Sequence, residues 1–472
     1  MADGRMPRAN EMMIGRLDPH NIRQFTQRFF EMEVAQGLFE VTESGVHCWD
    51  IVRHDTYYML WARVSGGHWA SAHLRHKPSA VDRFLRNLWR HVRTWATLKR
   101  LRKAKPAYLF VTASRMEDGL ATTDRISDPY LRLYGLRGFV LESHSRRSRY
   151  LAAGSPPGAF ISIPQRTWRI DAQRIAARVH AAIEAHFGLS ADVTELEMLI
   201  DAGLNTYLDQ RRYFRRILAA ARPRALVAVS NGIMKGMFIA AHEAGIHAYE
   251  LQHGLISKFH PYYSYPSDVD YGRLRHHPHS LFVFSDFWGK QIHFAGANVA
   301  SVGCDFYSQR TVTSGKSGLL IISASRYHEE LARVAKAVAR IDPQLPIIYK
   351  LHPQQYAQVG RITAEFSEQP GIRVAAGERE ISRLFAEASA LLCVQSTVVY
   401  EAIQSGLRVL LLQRDDYQIH EDAFDWVELC ATAEDVAHAA QQHAPGANVA
   451  PAFFDPFSVP AVTAHLGVAD PS

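Results

Sequence analysis

Between residues 318 and 413 short apolar runs alternate with amphipathic stretches, and this alternation constrains the fold more than any other feature of the chain. Strands are expected at 318–323, 346–351, 372–375, 391–395 and 409–412. Helices are expected at 329–341, 381–388 and 398–405. Runs that stay apolar without alternation suit strands buried on both faces. Such strands need helical crossovers, so the pattern predicts an α/β unit with a parallel sheet. Gly406 stands where the helix at 398–405 needs a left-handed residue to stop, which fixes the phase of the assignment.

The preceding half is also α/β. It has strand candidates at 108–112, 139–142, 225–229, 248–251, 281–284 and 299–302, and long helices at 170–187 and 195–221. A chain of 472 residues exceeds what one core usually supports. The Thr, Ser and Gly run at 309–318 reads as a linker. The expected division is a first Rossmann-like domain at 1–308, a second at 318–443 and a tail or cover at 444–472. Two such domains place a cleft between facing strand ends, where open α/β sheets bind ligands. Apolar content of 47% and charged content of 21% are those of a soluble enzyme, and no apolar run reaches the length of a bilayer span. Cys48, Cys304, Cys393 and Cys430 lie far apart without metal-ligand spacing, and the expected location is cytoplasmic.

The net charge of +6 is unevenly placed. Residues 81–105 hold nine Lys or Arg against one acid, Asp82, and Phe84, Leu85, Leu88, Trp89, Val92, Trp95, Leu98 and Leu101 recur at helical spacing. This basic amphipathic helix has two natural placements: docked on its own domain, or lying on an anionic membrane surface as a peripheral anchor to the inner membrane. No nucleic-acid-binding motif accompanies the charge, and nucleic acid is not an expected partner.

Two motifs fall at the expected strand ends. Tyr349-Lys350-Leu351-His352-Pro353 closes the strand at 346–351, so Pro353 stops the strand and the His352 imidazole can donate to a phosphate oxygen. Gln395-Ser396-Thr397 opens the helix at 398–405, offering hydroxyls and backbone N–H groups to an anion. With Thr397 at the N-cap, Glu401 lies one residue past the capping-box position, so capping does not explain it. Its carboxylate is expected to accept from ribose hydroxyls or the base. Lys350 and Arg326 are charge partners for the phosphate. Upstream, Glu250-Leu251-Gln252-His253-Gly254 ends a strand in a sharp turn at Gly254, where His253 can activate an acceptor or bind a leaving phosphate.

The ordered set Gln252-His253-Gly254, Lys350-Leu351-His352-Pro353 and Ser396-Thr397-Val398-Val399-Tyr400-Glu401-Ala402 resembles the GT-B glycosyltransferases of bacterial surface-polysaccharide synthesis. It is most similar to capsule-type Kdo transferases, bacterial sialyl- and polysialyltransferases and CDP-glycerol glycerophosphotransferases. The resemblance spans residues 225–416. It implies a cytidine nucleotide whose phosphate is held by His352, Ser396 and Thr397. It also points to Glu117-Asp118-Gly119, where such enzymes carry an acid, acid, glycine motif, and so assigns Asp118 as the catalytic base. Asp124 and Asp128 in the same loop are reserves. The implied reaction transfers an acidic sugar of the Kdo or sialic acid type from a CMP-sugar to a polysaccharide or lipopolysaccharide acceptor. Alternatives are a CDP-glycerol-type polyol-phosphate transferase, a UDP-sugar 2-epimerase and a non-catalytic nucleotide-binding scaffold. No resident cofactor and no metal are expected, since neither Asp268-Val269-Asp270 nor the His276, His277 and His279 cluster completes a metal-ligand set.

Overall fold

Two parallel sheets organise the chain, and both follow the strand order of a Rossmann fold. The computed structural model describes residues 21–65, 79–113, 124–142, 156–230, 232–267, 269, 272, 274–294, 296–308, 318–377, 381–394, 396–414, 421–442 and 452–467. The first unit opens with α1 (Ile22–Ala35), a ribbon of β1 (Thr42–Glu43) and β2 (Val46–His47), α2 (Cys48–Val64) and α3 (Ala80–Ala104). Its sheet contains β3 (Tyr108–Thr112), β4 (Gly138–Glu142), β5 (Gly158–Phe160), β6 (Ala225–Ala228), β7 (His247–Leu251), β8 (Ser280–Val283) and β9 (Asn298–Ser301). The order is β5-β4-β3-β6-β7-β8-β9. Helices α4 (Asp128–Tyr134), α5 (Ala172–Phe187), α6 (Val193–Ala221), α7 (Lys235–Glu243), α8 (Asp286–Lys290) and α9 (Asp305–Ser308) complete the unit.

The second sheet holds β10 (Leu319–Ile322), β11 (Ile347–Lys350), β12 (Ile372–Ala375), β13 (Ala390–Cys393), β14 (Arg408–Leu412) and β15 (Val427–Cys430) in the order β12-β11-β10-β13-β14-β15. Helices α10 (His328–Ile341), α11 (Val359–Glu365), α12 (Ile381–Phe385), α13 (Val398–Gln404) and α14 (Ala433–Gln441) surround it, and α15 (Val459–Leu466) follows. Every residue of β3, β4, β6, β8, β11 and β13 is buried. This is the physical origin of the unalternating apolar runs, because helices cover both faces of each sheet.

The expected strands form, with ends displaced by a residue or two. Within the two parallel sheets, two strands were missing from the expected set: β5, a three-residue Gly-Ala-Phe strand, and β15, whose Glu428 side chain interrupts the apolar pattern. The short ribbon of β1 and β2 was not expected either. The helical layer of α1 and α2 was also not foreseen. It buries Phe25, Phe29, Met32, Trp49, Tyr57 and Leu60 in one aromatic-rich core with α5 and α6. The linker at 309–317 lies outside the described residues.

The C-terminal segment returns to the first unit. Val462 and Leu466 of α15 pack in the core beneath Tyr108, Phe110 and Tyr130, and the hydroxyls of Tyr108, Tyr249 and Tyr134 donate to the carbonyls of Leu466, His465 and Gly467 at 3.2, 2.7 and 2.9 Å. The same segment braces the junction between the units. The Tyr400 ring of α13 sits 4.8 Å from Trp288 of α8 and 5.1 Å from Phe453. Trp288 Nε1 donates to the Phe453 carbonyl at 2.6 Å, and Gln404 of α13 exchanges two hydrogen bonds with Phe454.

Candidate active site in the cleft between the two sheets

In the second sheet the chain passes from β10 to one side and then crosses to β13 on the other, so the crevice opens where the carboxyl ends of β10 and β13 part. Ser396 follows β13 at this crevice, and His352 stands one strand away at the end of β11. His352 is the N-cap of a short 3-10 turn at Pro353–Gln358. Its Nδ1 accepts from the Gln354 N–H at 3.2 Å, and the Gln355 side chain accepts from the His352 N–H at 3.0 Å. The backbone donor therefore occupies Nδ1, which puts the proton of the neutral ring on Nε2. Pro353 takes the first position of the turn, where a missing N–H costs nothing. Lys350 is buried, with its ammonium 5.4 Å from the Tyr356 ring.

Thr397 was expected at the N-cap, and it stands there with helical backbone and without the capping bond that such a residue usually makes, whereas the Ser396 hydroxyl accepts from the Val398 N–H at 3.2 Å. Glu401 also differs from its expected role as an ionised acceptor. Burial pushes its carboxyl up to about 8, and the Arg125 guanidinium, reaching from the first unit, pulls it only part of the way back. At neutral pH it is a protonated acid, able to donate as well as accept. Arg125 also lies 4.3 Å over the Phe306 ring. A cation of the first unit thus acts electrostatically on an acid of the second.

On the first unit's side the switch point lies between β3 and β6. Asp118 falls outside the described residues, as do Glu117, Gly119, Gln395, Asp268 and Asp270, and so does the Arg326 side chain. The reserve Asp124 is a structural clamp. Its carboxylate accepts from the N–H groups of Ala113 at 3.0 Å and Ile126 at 3.1 Å and from the Ser127 hydroxyl at 2.8 Å, tying the end of β3 to the start of α4. Asp128, half-buried, is the first residue of α4.

His253 lies half-buried just past β7, in a turn organised by its neighbour. The buried Gln252 amide accepts from Phe284 N–H at 3.0 Å and donates to the Gly254 carbonyl at 2.9 Å. A Cβ at Gly254 would meet nothing within 4 Å, and its backbone is not left-handed, so Gln252 rather than Gly254 shapes the turn. Around it the fold gathers groups from distant parts of the chain. The His54 ring stacks on Tyr262 at 3.9 Å, and burial beside His54 and His253 drives His260 down to about 3. One oxygen of the buried Glu250 accepts from the Ser230 hydroxyl at 2.8 Å, Gly232 N–H at 2.8 Å and the Tyr263 hydroxyl at 3.1 Å. These bonds hold Gly232 at φ +67°, where a Cβ would lie 2.7 Å from the Tyr262 ring. Among the described residues the second oxygen is buried without a hydrogen bond, and burial raises the carboxyl despite the three donors.

Beneath this layer, Asp50 of α2 accepts from Lys235 Nζ at 2.8 Å and the Tyr265 hydroxyl at 2.9 Å, with His276 Nδ1 at 3.2 Å and His277 Nε2 at 3.4 Å. Burial alone would raise Asp50, but Lys235 and the two histidines hold it well below the usual carboxylate range. His276 and His277 therefore serve a buried carboxylate, while the His279 ring stacks 3.8 Å from His242. Sequence reasoning missed this network, because Asp50 lies 185 residues from Lys235 and 226 from His276. Glu250 carried a legible signal, an acid inside an otherwise apolar strand.

Two Rossmann-like sheets joined about one cleft constitute the GT-B architecture. No family model matches the chain, and no curated protein does. Among solved structures, the UDP-GlcNAc 2-epimerase of Methanocaldococcus jannaschii is similar at 12% identity, over 71% of this chain and 91% of that one, with a TM-score of 0.44. MurG of Acinetobacter baumannii is similar at 14% identity, over 72% and 97%, with a TM-score of 0.37. The UDP-GlcNAc 2-epimerase of Neisseria meningitidis is similar at 11% identity, over 70% and 89%, with a TM-score of 0.43. At these scores and identities the likenesses decide nothing about activity, and the fold assignment stands on the two sheets themselves.

Proposed function

We propose that the chain is a nucleotide-sugar-dependent glycosyltransferase that takes an acidic sugar of the Kdo or sialic acid type from a CMP donor and passes it to a surface polysaccharide or lipopolysaccharide acceptor. The observation that carries this reading is the His352 geometry. A backbone N–H occupies Nδ1, so Nε2–H is the donor at a strand end beside the switch-point crevice. The donor phosphate accepts from His352 Nε2 and from the hydroxyls of Ser396 and Thr397, with Lys350 and Arg125 supplying positive charge. Glu401, protonated at neutral pH, stands beside that phosphate without repelling it. Catalysis on this reading is positioning in the closed cleft together with stabilisation of the leaving phosphate. The acceptor hydroxyl enters from the His253 side, and its proton passes to Asp118 as base.

Nucleotide-dependent thermal stabilisation tests the donor class, because a ligand that binds only the folded state raises the unfolding midpoint. CMP and CDP are expected to raise it, UDP and GDP to leave it unchanged, and His352→Ala to remove the response. A shift by UDP alone would replace the CMP reading with that of a UDP-sugar enzyme.

A further inference from the structure

Helix α3 presents the wrong face to solvent for a helix that serves only its own domain. Val81, Phe84, Leu85, Leu88, Trp89, Val92 and Trp95 are 46% to 67% exposed. At about 100° per residue they form one stripe along the first four turns of the helix. The face docked on the protein lies on the opposite side and is formed by Asn87, Arg90, Thr94, Thr97, Leu98 and Leu101. That docking is specific. Asn87 exchanges two hydrogen bonds with Gln165, at 2.9 and 2.7 Å, and the Thr94 hydroxyl donates to the Ser162 carbonyl at 2.7 Å. The amphipathic pattern is therefore real, but its apolar side points away from the domain.

The charge around the stripe is mostly of one sign. Asp82 is the sole acid on α3, against Arg83, Arg86, Arg90, Arg93, Lys99, Arg100, Arg102 and Lys103. The Arg93 guanidinium lies 5.5 Å over the Trp89 ring and the Lys99 ammonium 5.7 Å over Trp95, so each indole at the stripe carries a cation beside it. Between the helix and the body of the first unit a cavity of about 850 Å³ opens, lined by Arg86, Arg90 and Arg93 with Ser162, Gln165 and Asp209. Among the described residues no helix is long and apolar enough to cross a membrane.

We propose that α3 docks the protein on an anionic phospholipid bilayer, with the Val81 to Trp95 stripe seated at the acyl boundary and the flanking arginines in the phosphate layer. The occupant is a lipid surface because the apolar stripe, the two indoles and the surplus of cations coincide on one helix held rigidly by its other face. The arginine-lined cavity receives a lipid headgroup phosphate, which guanidinium groups recognise through paired N–H donors. It also reaches Gln210 and Met234. The Gln210 amide accepts from Gly236 N–H at 3.2 Å and donates to the Ile233 carbonyl at 3.3 Å, which ties the cavity wall to the loop that presents Gly232 to Glu250. The docked membrane is thereby placed beside the acceptor half of the cleft. The inference stands independently of the donor assignment and fails or succeeds without any nucleotide.

Co-sedimentation of the full chain with vesicles tests it, using phosphatidylcholine alone against phosphatidylcholine with about 30% phosphatidylglycerol. Binding to the anionic vesicles is expected to exceed that to neutral ones by about tenfold or more and to fall steeply as salt rises from about 0.1 to about 0.5 M. The variant Leu88→Gln/Trp89→Gln/Val92→Gln changes only exposed side chains and is expected to lose about tenfold in partition to anionic vesicles. Arg86→Gln/Arg93→Gln is expected to lose the preference for phosphatidylglycerol. Equal, negligible binding of the unmodified chain to both vesicle types overturns the proposal. So does light scattering that shows a dimer which the stripe variant converts to monomer, since the stripe is then an interface between two copies of the chain.

Discussion

Glu401→Gln tests the electrostatics of the cleft. Its carboxyl is raised from the ordinary 4.5 to about 8, first by burial, with Arg125 opposing. Between those two values the folded chain holds a proton that the unfolded chain has released. This contribution to stability is full below pH 4.5 and disappears as pH rises through about 8. At 1.36 kcal/mol per pKa unit the ceiling is about 5 kcal/mol, and partial solvent screening of a half-buried group reduces it to about 2 to 3 kcal/mol. The uncharged glutamine has no such dependence. Guanidinium unfolding midpoints of the two proteins, compared between about pH 5.5 and about pH 8.5, should diverge, with the wild type losing about 2 kcal/mol relative to the variant. Nucleotide affinity follows the same sign: an ionised Glu401 repels a donor phosphate, so wild-type affinity is expected to weaken above pH 8 and that of the variant to hold steady. Parallel stability curves across this range would refute the claim that Glu401 is neutral in the folded cleft.

Two further substitutions probe the supports of the site. Arg53→Met removes the guanidinium that bonds both oxygens of the buried Glu33 and also donates to the carbonyls of Pro261 and Ser264 in the loop after His253. It should cost about 3 to 5 kcal/mol, and adding Glu33→Gln should restore part of that, because the penalty is mainly an unpaired buried charge. Chemical denaturation of the single and double variants measures both steps; equal losses would contradict the assignment. Gly303→Ala places a Cβ 2.0 Å from the Pro456 carbonyl oxygen at φ +78°, beside the Cys304 N–H bond to Asp455. It should loosen the C-terminal segment from the first unit, detected as new protease cleavage within 452–467 and a lower melting midpoint.

Strand positions were legible in the sequence wherever a strand is buried on both faces, as in β3 and β13, because burial forces an unbroken apolar run. A strand of three residues such as β5, or one with an outward acid such as β15, leaves no comparable run. Phe25, Phe29 and Met32 do repeat at helical spacing in α1, so that helix was readable from its pattern although it was not expected. In the second unit the sequence located His352, Ser396 and Thr397 at the strand ends, while the tautomer of His352 and the protonation of Glu401 depend on packing that no spacing encodes. Asp124 stands in the sequence only as a reserve acid in a loop, and the backbone donors that hold it become visible only in the folded chain. The histidines at 276 and 277 acquire meaning only once folding brings Asp50 and Lys235 to them.

Turnover of the donor itself tests the central claim most directly. Purified protein incubated with CMP-linked sialic acid or Kdo and a polysaccharide or lipopolysaccharide acceptor should release CMP and extend the acceptor. The activity should be absent in His352→Ala and strongly reduced when Ser396 and Thr397 are both replaced by alanine. Conversion of UDP-GlcNAc to its 2-epimer, with no CMP released from either acidic-sugar donor, would contradict it.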